Sequence, residues 1–181
     1  MFSFKIFLEI IIGISQNKSL CRILQNYESK QLTIQGDVIE FGAEPNSKNN
    51  FSQIIKKKNI KNILYSDKYL NHKKVIKADL NKKINLKKNF FNYVLLFNVM
   101  EHLINIENAK TQISKIICKN GYLIGSTPFL YRFHGAPSDY LRFTKPYLIK
   151  LFKKDFKIIK MQNLGLGPFC LCFSLISDFT K

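Results

Sequence analysis

The chain has 181 residues, of which 46% are hydrophobic, so it is long enough for one domain with its own core. Its formal charge of +17 comes from 29 basic residues, but arginine, which binds phosphate bidentately, supplies only three of them. The lysines are scattered along the whole chain, which favours solvated faces over a nucleic-acid groove. The four cysteines lack zinc-ligand spacing, so no metal site is predicted and a reduced, cytoplasmic protein is expected.

The N-terminal stretch MFSFKIFLEIIIGIS is apolar but interrupted by Lys5 and Glu9, which makes it too short and too charged to span a bilayer. No small-residue cleavage site follows it, so a signal peptide is not favoured. We predict an amphipathic helix that packs on the domain or makes a peripheral membrane contact. Residues 1–30 are thus an N-terminal helical segment, and residues 31–181 form the main part of a single domain.

Apolar runs of strand length alternate with longer segments of helical period, which predicts βαβ units and a mostly parallel sheet with helices on both faces. The expected strands are residues 37–41, 61–66, 74–79, 90–97, 121–127 and 156–161. The expected helices are residues 47–58, capped by Asn46 or Ser47, 102–119, stopped by Asn120-Gly121, and 144–155, capped by Thr144.

Polar residues close four successive predicted strands. One acid at a strand end can simply cap the next turn, but four in order indicate a ligand site, because the carboxyl ends of parallel strands share one edge of the sheet. These strand-end segments are EFGAEPN at residues 40–46, YSD at 65–67, ADL at 78–80 and FNVMEHL at 97–103.

This ordered series resembles motifs I to IV of class I S-adenosylmethionine-dependent methyltransferases, and more narrowly the type 11 group. The segment PFLYRFHGAPSDYLRFTKPYL, residues 128–148, is similar to one in methyltransferases of bacterial surface-glycan gene neighbourhoods. The resemblance covers about residues 34–160. It implies a Rossmann-like fold, S-adenosylmethionine as cofactor, and methylation, at oxygen, of a small-molecule or glycan- or lipid-linked acceptor in polysaccharide biosynthesis.

The resemblance also implies roles for residues at the first three strand ends. Glu40 and Gly42 would border the methionine end of the cofactor, where glycine lets the backbone approach. Asp67 would accept both ribose hydroxyls, because its two oxygens match a vicinal diol. Asp79 would bind the adenine amino group, and Leu80 would pack on the ring.

At the fourth strand end, the resemblance implies that Asn98 and Val99 lie beneath the methionine. The chain departs from the family in its first motif, where Glu44-Pro45-Asn46 replaces the usual further glycine. Proline removes a backbone donor and stiffens the turn. The absence of G-x-G-x-x-G also disfavours the alternative of a nicotinamide-dependent oxidoreductase.

Candidate acceptor-side residues follow the fourth and fifth strands. His134, Asp139 and His102 are candidates for the catalytic base, and Tyr140 and Arg142 for substrate binding. Structural roles remain open for each: His134 in a turn, His102 in capping or packing, and Asp139 paired with Arg142 to hold the loop.

A non-catalytic binding or partner subunit with the same fold is the second functional hypothesis, since the first motif is poor in glycine and the C-terminus is short. The chain after residue 162 leaves room for a cramped seventh strand, a helix or a truncated end. The apolar residues 167–176 would face the core, the partner of a homodimer, or a membrane.

Overall fold

The computed structural model describes residues 4–131, 133–135 and 138–165. The apolar tail at 167–176 and any seventh strand lie outside these residues. In chain order the described elements are α1 (Phe4–Ser15), α2 (Leu20–Ser29), β1 (Thr33–Phe41), α3 (Phe51–Ile54), β2 (Lys56–Asp67), β3 (Val75–Lys77), β4 (Phe91–Phe97), a 3₁₀ turn (Met100–His102), α4 (Ile106–Ile116), β5 (Ile117–Ser126) and α5 (Lys145–Phe152).

The five strands form one parallel sheet in the order β3-β2-β1-β4-β5. The central strands β1 and β4 are mostly buried, and Val38, Ile39, Val94 and Leu95 are fully buried, as expected of parallel strands covered on both faces. The predicted α/β architecture is confirmed. Strand order reverses between β1 and β4, so a crevice opens beyond their carboxyl ends.

Two apolar clusters cover the two faces of the sheet. On one face, Ile39 and Val94 pack with α4 and α5 through Ile113 and Leu151. On the other face, Val38 and Leu95 pack with α3 through Phe51 and its neighbours. The sheet is therefore the middle layer of the fold.

The helix predicted over residues 47–58 is much shorter in the structure. It spans Phe51–Ile54 behind Asn50, and Lys56 already belongs to β2, where its N–H donates to the Leu32 carbonyl at 3.1 Å. The prediction was wrong because pairing with β1 from Thr33 onward outweighs the helix propensity of the lysines.

The second predicted helix and the last predicted strand also differ from the structure. Helix α4 ends at Ile116, and Asn120, expected to stop the helix, instead lies at a bulge inside β5 with φ of 64°. Residues 156–161 form no strand, since Phe156 and Ile158 pack against the α4–α5 cluster instead of pairing with a neighbour. Helix α5 has the predicted Thr144 cap and Pro146 in its first turn, and it ends at Phe152, three residues before the predicted end.

Helix α1 forms as predicted and packs on α2, where Ile6 and Ile10 meet Leu20 and Leu24. Its opposite side is exposed and apolar, comprising Phe4, Phe7, Leu8, Ile11, Ile12 and Ile14. Packing on the domain therefore accounts for one face of α1 and leaves the other uncovered by the described residues. None of the helices described here is long and apolar enough to cross a membrane.

The turn after β1 depends on Gly42. Its φ is +68°, its N–H donates to the Ser66 carbonyl at 2.7 Å, and a Cβ at this position would lie 2.7 Å from Val99 Cγ2. Only glycine fits this position without strain, because the left-handed conformation and the contact with Val99 both exclude a side chain.

We expect Gly42→Ala to lower the free energy of unfolding by about 1–3 kcal/mol, measured by chemical denaturation. Gly165→Ala is the matched control, because a Cβ there meets nothing within 4 Å. Adding Val99→Ala should recover only part of the loss, since it removes the contact but not the backbone strain. A Gly42→Ala variant as stable as wild type would contradict this account of the turn.

Candidate functional site

A cavity of about 530 Å³ lies beyond the carboxyl ends of β1, β2 and β4. This is within the size range of small-molecule and cofactor sites. Four of the predicted cofactor residues line it: Glu40, Gly42, Asp67 and Asn98. The structure thus brings together residues that are up to 58 positions apart in sequence (98 minus 40).

The loop between Gly42 and Asn50 closes without the glycines that the resemblance leads one to expect. Asn46 takes a left-handed conformation with φ of 67°, which asparagine tolerates better than other side chains. The Asn50 side chain donates to the Glu44 carbonyl at 2.5 Å and ties the two ends of the loop together. Asparagine therefore supplies the turn geometry that glycine supplies elsewhere.

Glu40 anchors the start of α3 and offers little to a ligand. It is 2% exposed, and its carboxylate oxygens accept the N–H groups of Phe51 at 2.7 Å and Ser52 at 3.0 Å. Burial raises the pKa of this carboxyl, while the hydrogen bonds and the charge of Arg22 oppose the shift. Glu40 therefore fixes the wall of the cavity by joining β1 to α3.

Asp67 borders the cavity at the end of β2. Its Oδ1 accepts two backbone N–H groups, from Tyr69 at 2.7 Å and Leu70 at 2.8 Å, and these fix the following turn. Its Oδ2 has no hydrogen bond or ion pair within the described parts of the chain. The carboxylate thus has one oxygen available to a ligand, whereas the resemblance implied that both oxygens would accept ribose hydroxyls.

Asp79 and Leu80 do not line the cavity. The Asp79 Oδ1 accepts the Asn81 N–H at 3.0 Å, and its Oδ2 lies 3.5 Å from Lys68 Nζ. Leu80 is 3% exposed and belongs to the core on the α4 side. Val99 also packs against this core, beside Gly42, and is not part of the cavity lining.

Asn98 lies at the junction of β4, β5 and α2. It has φ of 53°, and its N–H donates to the Ser126 carbonyl at 2.8 Å. Its Oδ1 accepts a hydrogen bond from Gln25 Nε2 at 3.0 Å, and the same Gln25 group lies 3.0 Å from Ser126 Oγ. The side chain of Asn98 thereby fastens α2 across the crevice.

Helix α2 contributes residues that sequence reasoning missed, Gln25 and Arg22. Arg22 lines the cavity, donates to the Asn49 carbonyl at 2.5 Å, and lies over the Phe51 ring at 4.3 Å from its centroid. Nothing in the sequence indicated these contacts, because α2 precedes the first motif and only the folded chain places it at the crevice. The cavity therefore has a cation on one wall.

The predicted acceptor-side residues lie together after β4 and β5. The His102 and His134 rings meet edge to face with centroids 5.2 Å apart, and Ser138 O lies 2.7 Å from His102 Nδ1. Asp139 Oδ2 accepts the backbone N–H of His134 at 3.2 Å. Tyr140 is 51% exposed, so its phenol is open to solvent.

Asp139 and Arg142 pair and hold this loop. The side chain of Asp139 is 1% exposed, and Arg142 also donates to the Tyr131 carbonyl at 3.3 Å. The hydrogen bonds from Arg142 hold the pKa of Asp139 below its usual value. A carboxylate stabilised in its ionised form is a poor proton acceptor, so this geometry favours loop fixation over a role as base.

Glu101, which sequence analysis did not single out, is fully buried between these elements. Its carbonyl accepts the N–H groups of Tyr140 at 2.8 Å and Leu141 at 3.2 Å, so it anchors the loop to the end of β4. Burial raises the pKa of its carboxyl group. Its position next to His102 in the segment FNVMEHL was the only signal that the sequence offered.

Comparison with known proteins gives structural similarity alone. No protein-family model matches the chain, and no curated protein matches it. Two solved structures of phosphoethanolamine N-methyltransferase 2 from Haemonchus contortus are similar to it, each with a TM-score of 0.59 over 86% of this chain. One holds phosphomonomethylethanolamine and S-adenosylhomocysteine at 13% identity, and the other S-adenosyl-L-methionine at 12%.

The chain spans 42% and 41% of the length of these two proteins. At such identities the similarity establishes the fold and not the activity. The chain therefore has the Rossmann-like fold of class I S-adenosylmethionine-dependent methyltransferases.

We expect Arg142→Met to lower the free energy of unfolding by roughly 1–3 kcal/mol at neutral pH, because it leaves the Asp139 carboxylate buried and unpaired. Because the pKa of Asp139 is lowered on folding, the stabilisation is present above its unfolded pKa of about 3.9 and is lost as the pH falls further. The difference between variant and wild type should therefore shrink below about pH 4.

Lys160→Met is the matched control, because its ion pair with Glu28 is exposed and should change stability by less than about 1 kcal/mol. Urea denaturation of both variants from pH 3 to 7 makes the comparison. Equal effects of the two substitutions would contradict a structural role for the Asp139–Arg142 pair.

Proposed function

We propose that this protein is an S-adenosylmethionine-dependent methyltransferase that methylates an oxygen of a small-molecule or glycan-linked acceptor. The observation that carries the proposal is the cavity at the reversal of strand order, bordered by the Gly42 turn and the open oxygen of Asp67. In open α/β sheets, ligands bind in this crevice. The similarity to structures that hold S-adenosylmethionine and S-adenosylhomocysteine supports the same cofactor.

The residues around the cavity fit the cofactor group by group. The Asp67 Oδ2 acceptor suits a ribose hydroxyl, and the absence of a side chain at Gly42 lets the backbone approach the ligand. Arg22, which also lines the cavity, suits a carboxylate, because a guanidinium donates charge-assisted hydrogen bonds to it. The absence of a phosphate-binding turn also suits a ligand without a phosphate.

S-adenosylmethionine would supply a methyl group activated by a sulfonium, and the electron pair of the carbon–sulfur bond would stay on sulfur when the methyl group moves to an acceptor oxygen. The chain's own residues position the acceptor and accept its hydroxyl proton. Alignment of two reactants alone contributes several kcal/mol to lowering a barrier, so fixed walls matter more than acid–base strength. Glu40 and Asn98 provide such walls, and buried or part-buried hydrogen bonds fix both side chains, with Gln25 holding Asn98 from outside the cavity lining.

The acceptor side is the cluster formed by His102, His134 and the loop that Asp139 and Arg142 hold. The two imidazoles are the candidate proton-handling groups, since Asp139 is engaged with Arg142. Tyr140, with its exposed phenol, is the group on this loop best placed to contact a hydroxylated acceptor. The resemblance of residues 128–148 to glycan-associated methyltransferases supports a sugar hydroxyl as the methylated group.

Calorimetric titration should show that wild-type protein binds S-adenosylmethionine and that Asp67→Asn weakens binding about tenfold or more, since Oδ2 is replaced by a donor. Asparagine retains one oxygen to accept the Tyr69 and Leu70 N–H groups, so the turn should survive. Asp155→Asn, on a carboxylate paired with Lys110, is the control and should bind as wild type. Absence of binding by folded wild type at millimolar cofactor would overturn the proposal.

Arg22→Met should weaken S-adenosylmethionine binding by about tenfold or more while leaving binding of 5′-methylthioadenosine within about twofold, because the latter lacks the methionyl carboxylate. The same titrations measure both ligands. Loss of affinity for both ligands would show that Arg22 acts structurally, through its contact with the Phe51 ring. Unchanged affinity for both would exclude the carboxylate contact.

A further inference from the structure

We propose that Glu101, His102 and His134 bind a divalent transition-metal ion on the acceptor side of the site. These residues come from the 3₁₀ turn after β4 and the loop after β5, and a ligand atom from each lies within 4.8 Å of the others. Ligand atoms lie about 2.0–2.2 Å from a zinc ion, so side-chain adjustments of about one ångström complete the coordination.

Glu101 gives the first indication that a cation binds here. Its side chain is fully buried, and Oε1 has no hydrogen-bond partner in the described structure. Its other oxygen, Oε2, lies 3.5 Å from Thr127 Oγ1, at the upper limit of hydrogen-bond distance. Buried polar groups in folded proteins nearly always have partners, and a bound ion is one of the few explanations for an exception.

His102 presents its free nitrogen toward this carboxylate. The Ser138 carbonyl can only accept, so His102 Nδ1, at 2.7 Å from it, carries the proton. The lone pair then lies on Nε2, which is 3.9 Å from Glu101 Oε1. A backbone carbonyl that fixes the tautomer of an imidazole in this way is the usual outer partner of a metal-binding histidine.

His134 completes the set. Its Nδ1 is buried without a well-formed hydrogen bond, although Asp139 Oδ2 lies 3.0 Å away. Arg142 holds Asp139 in place, so the ring of His134 is oriented by a fixed carboxylate. Carboxylate–histidine pairs of this kind orient ligands in metal sites and raise their basicity. The cluster thus combines a buried carboxylate oxygen without a hydrogen-bond partner, Glu101 Oε1, with an imidazole oriented by a second carboxylate.

The ligand set indicates which metal would bind. Two imidazoles and one carboxylate suit zinc or iron(II), whereas magnesium and calcium prefer sites made of oxygen ligands only. Three protein ligands leave coordination positions open for water and for an acceptor oxygen. If the proposed function holds, the ion would lower the pKa of the acceptor hydroxyl, which would replace a free imidazole as the means of removing its proton.

Metal binding can be tested without cofactor or acceptor, so its outcome is separate from that of the S-adenosylmethionine titrations. Untagged protein is stripped with a chelator and titrated with cobalt(II), followed by visible absorption, and then with zinc(II) in competition. Wild type should bind one equivalent. Glu101→Gln and His134→Ala should each weaken binding about tenfold or more. His72→Ala should have no effect, because His72 is the one histidine of the chain outside the proposed site.

Circular dichroism shows whether each variant folds. For wild type, zinc should raise the unfolding temperature, and this rise should persist in His72→Ala, which keeps the test valid if the cluster variants do not fold. Folded wild type that binds neither cobalt nor zinc at 100 µM would overturn the proposal. So would stoichiometric binding that survives both cluster substitutions, because it would place the ion elsewhere, as on cysteine.

Discussion

The reversal of strand order between β1 and β4 is the constraint on which the rest of the site depends. Both strands are buried on both faces, so their register is fixed by the core, and their ends deliver Gly42 and Asn98 to the two sides of one crevice. Gln25 then fastens α2 across that crevice, and Glu40 fastens α3 beneath it. The cavity is therefore a consequence of topology and is stabilised by four elements together.

Asparagine explains how a glycine-poor chain makes these turns. The six non-glycine residues with positive φ among those described are all asparagines, at positions 17, 46, 59, 89, 98 and 120. Asparagine enters the left-handed region more readily than other side chains because its amide can bond locally. Glycine remains at Gly42, where the neighbouring Val99 leaves no room for a Cβ. The departure at Glu44-Pro45-Asn46 thus changes the composition of the turn without preventing its closure.

The fold could be predicted from the sequence where burial alone determines the secondary structure of a segment, as in β1, β4 and the Thr144-capped helix α5. Prediction failed where pairing competes with local propensity, as at Lys56, or where an apolar run packs against helices, as at Phe156. At the site, strand ends located Gly42, Asp67 and Asn98, because their position follows from parallel topology. Arg22 and Gln25 could not be found, since their roles arise from contacts between distant segments, and Glu101 was marked only by its place beside His102.

A crystal structure of the chain grown with S-adenosylhomocysteine tests the central claim most directly. The account predicts the ligand in the cavity, with its ribose at Asp67 Oδ2, its backbone contact at Gly42 and its carboxylate at Arg22. A ligand bound outside the crevice between β1 and β4, or no ligand at millimolar concentration in crystals with that crevice open to solvent, would contradict it.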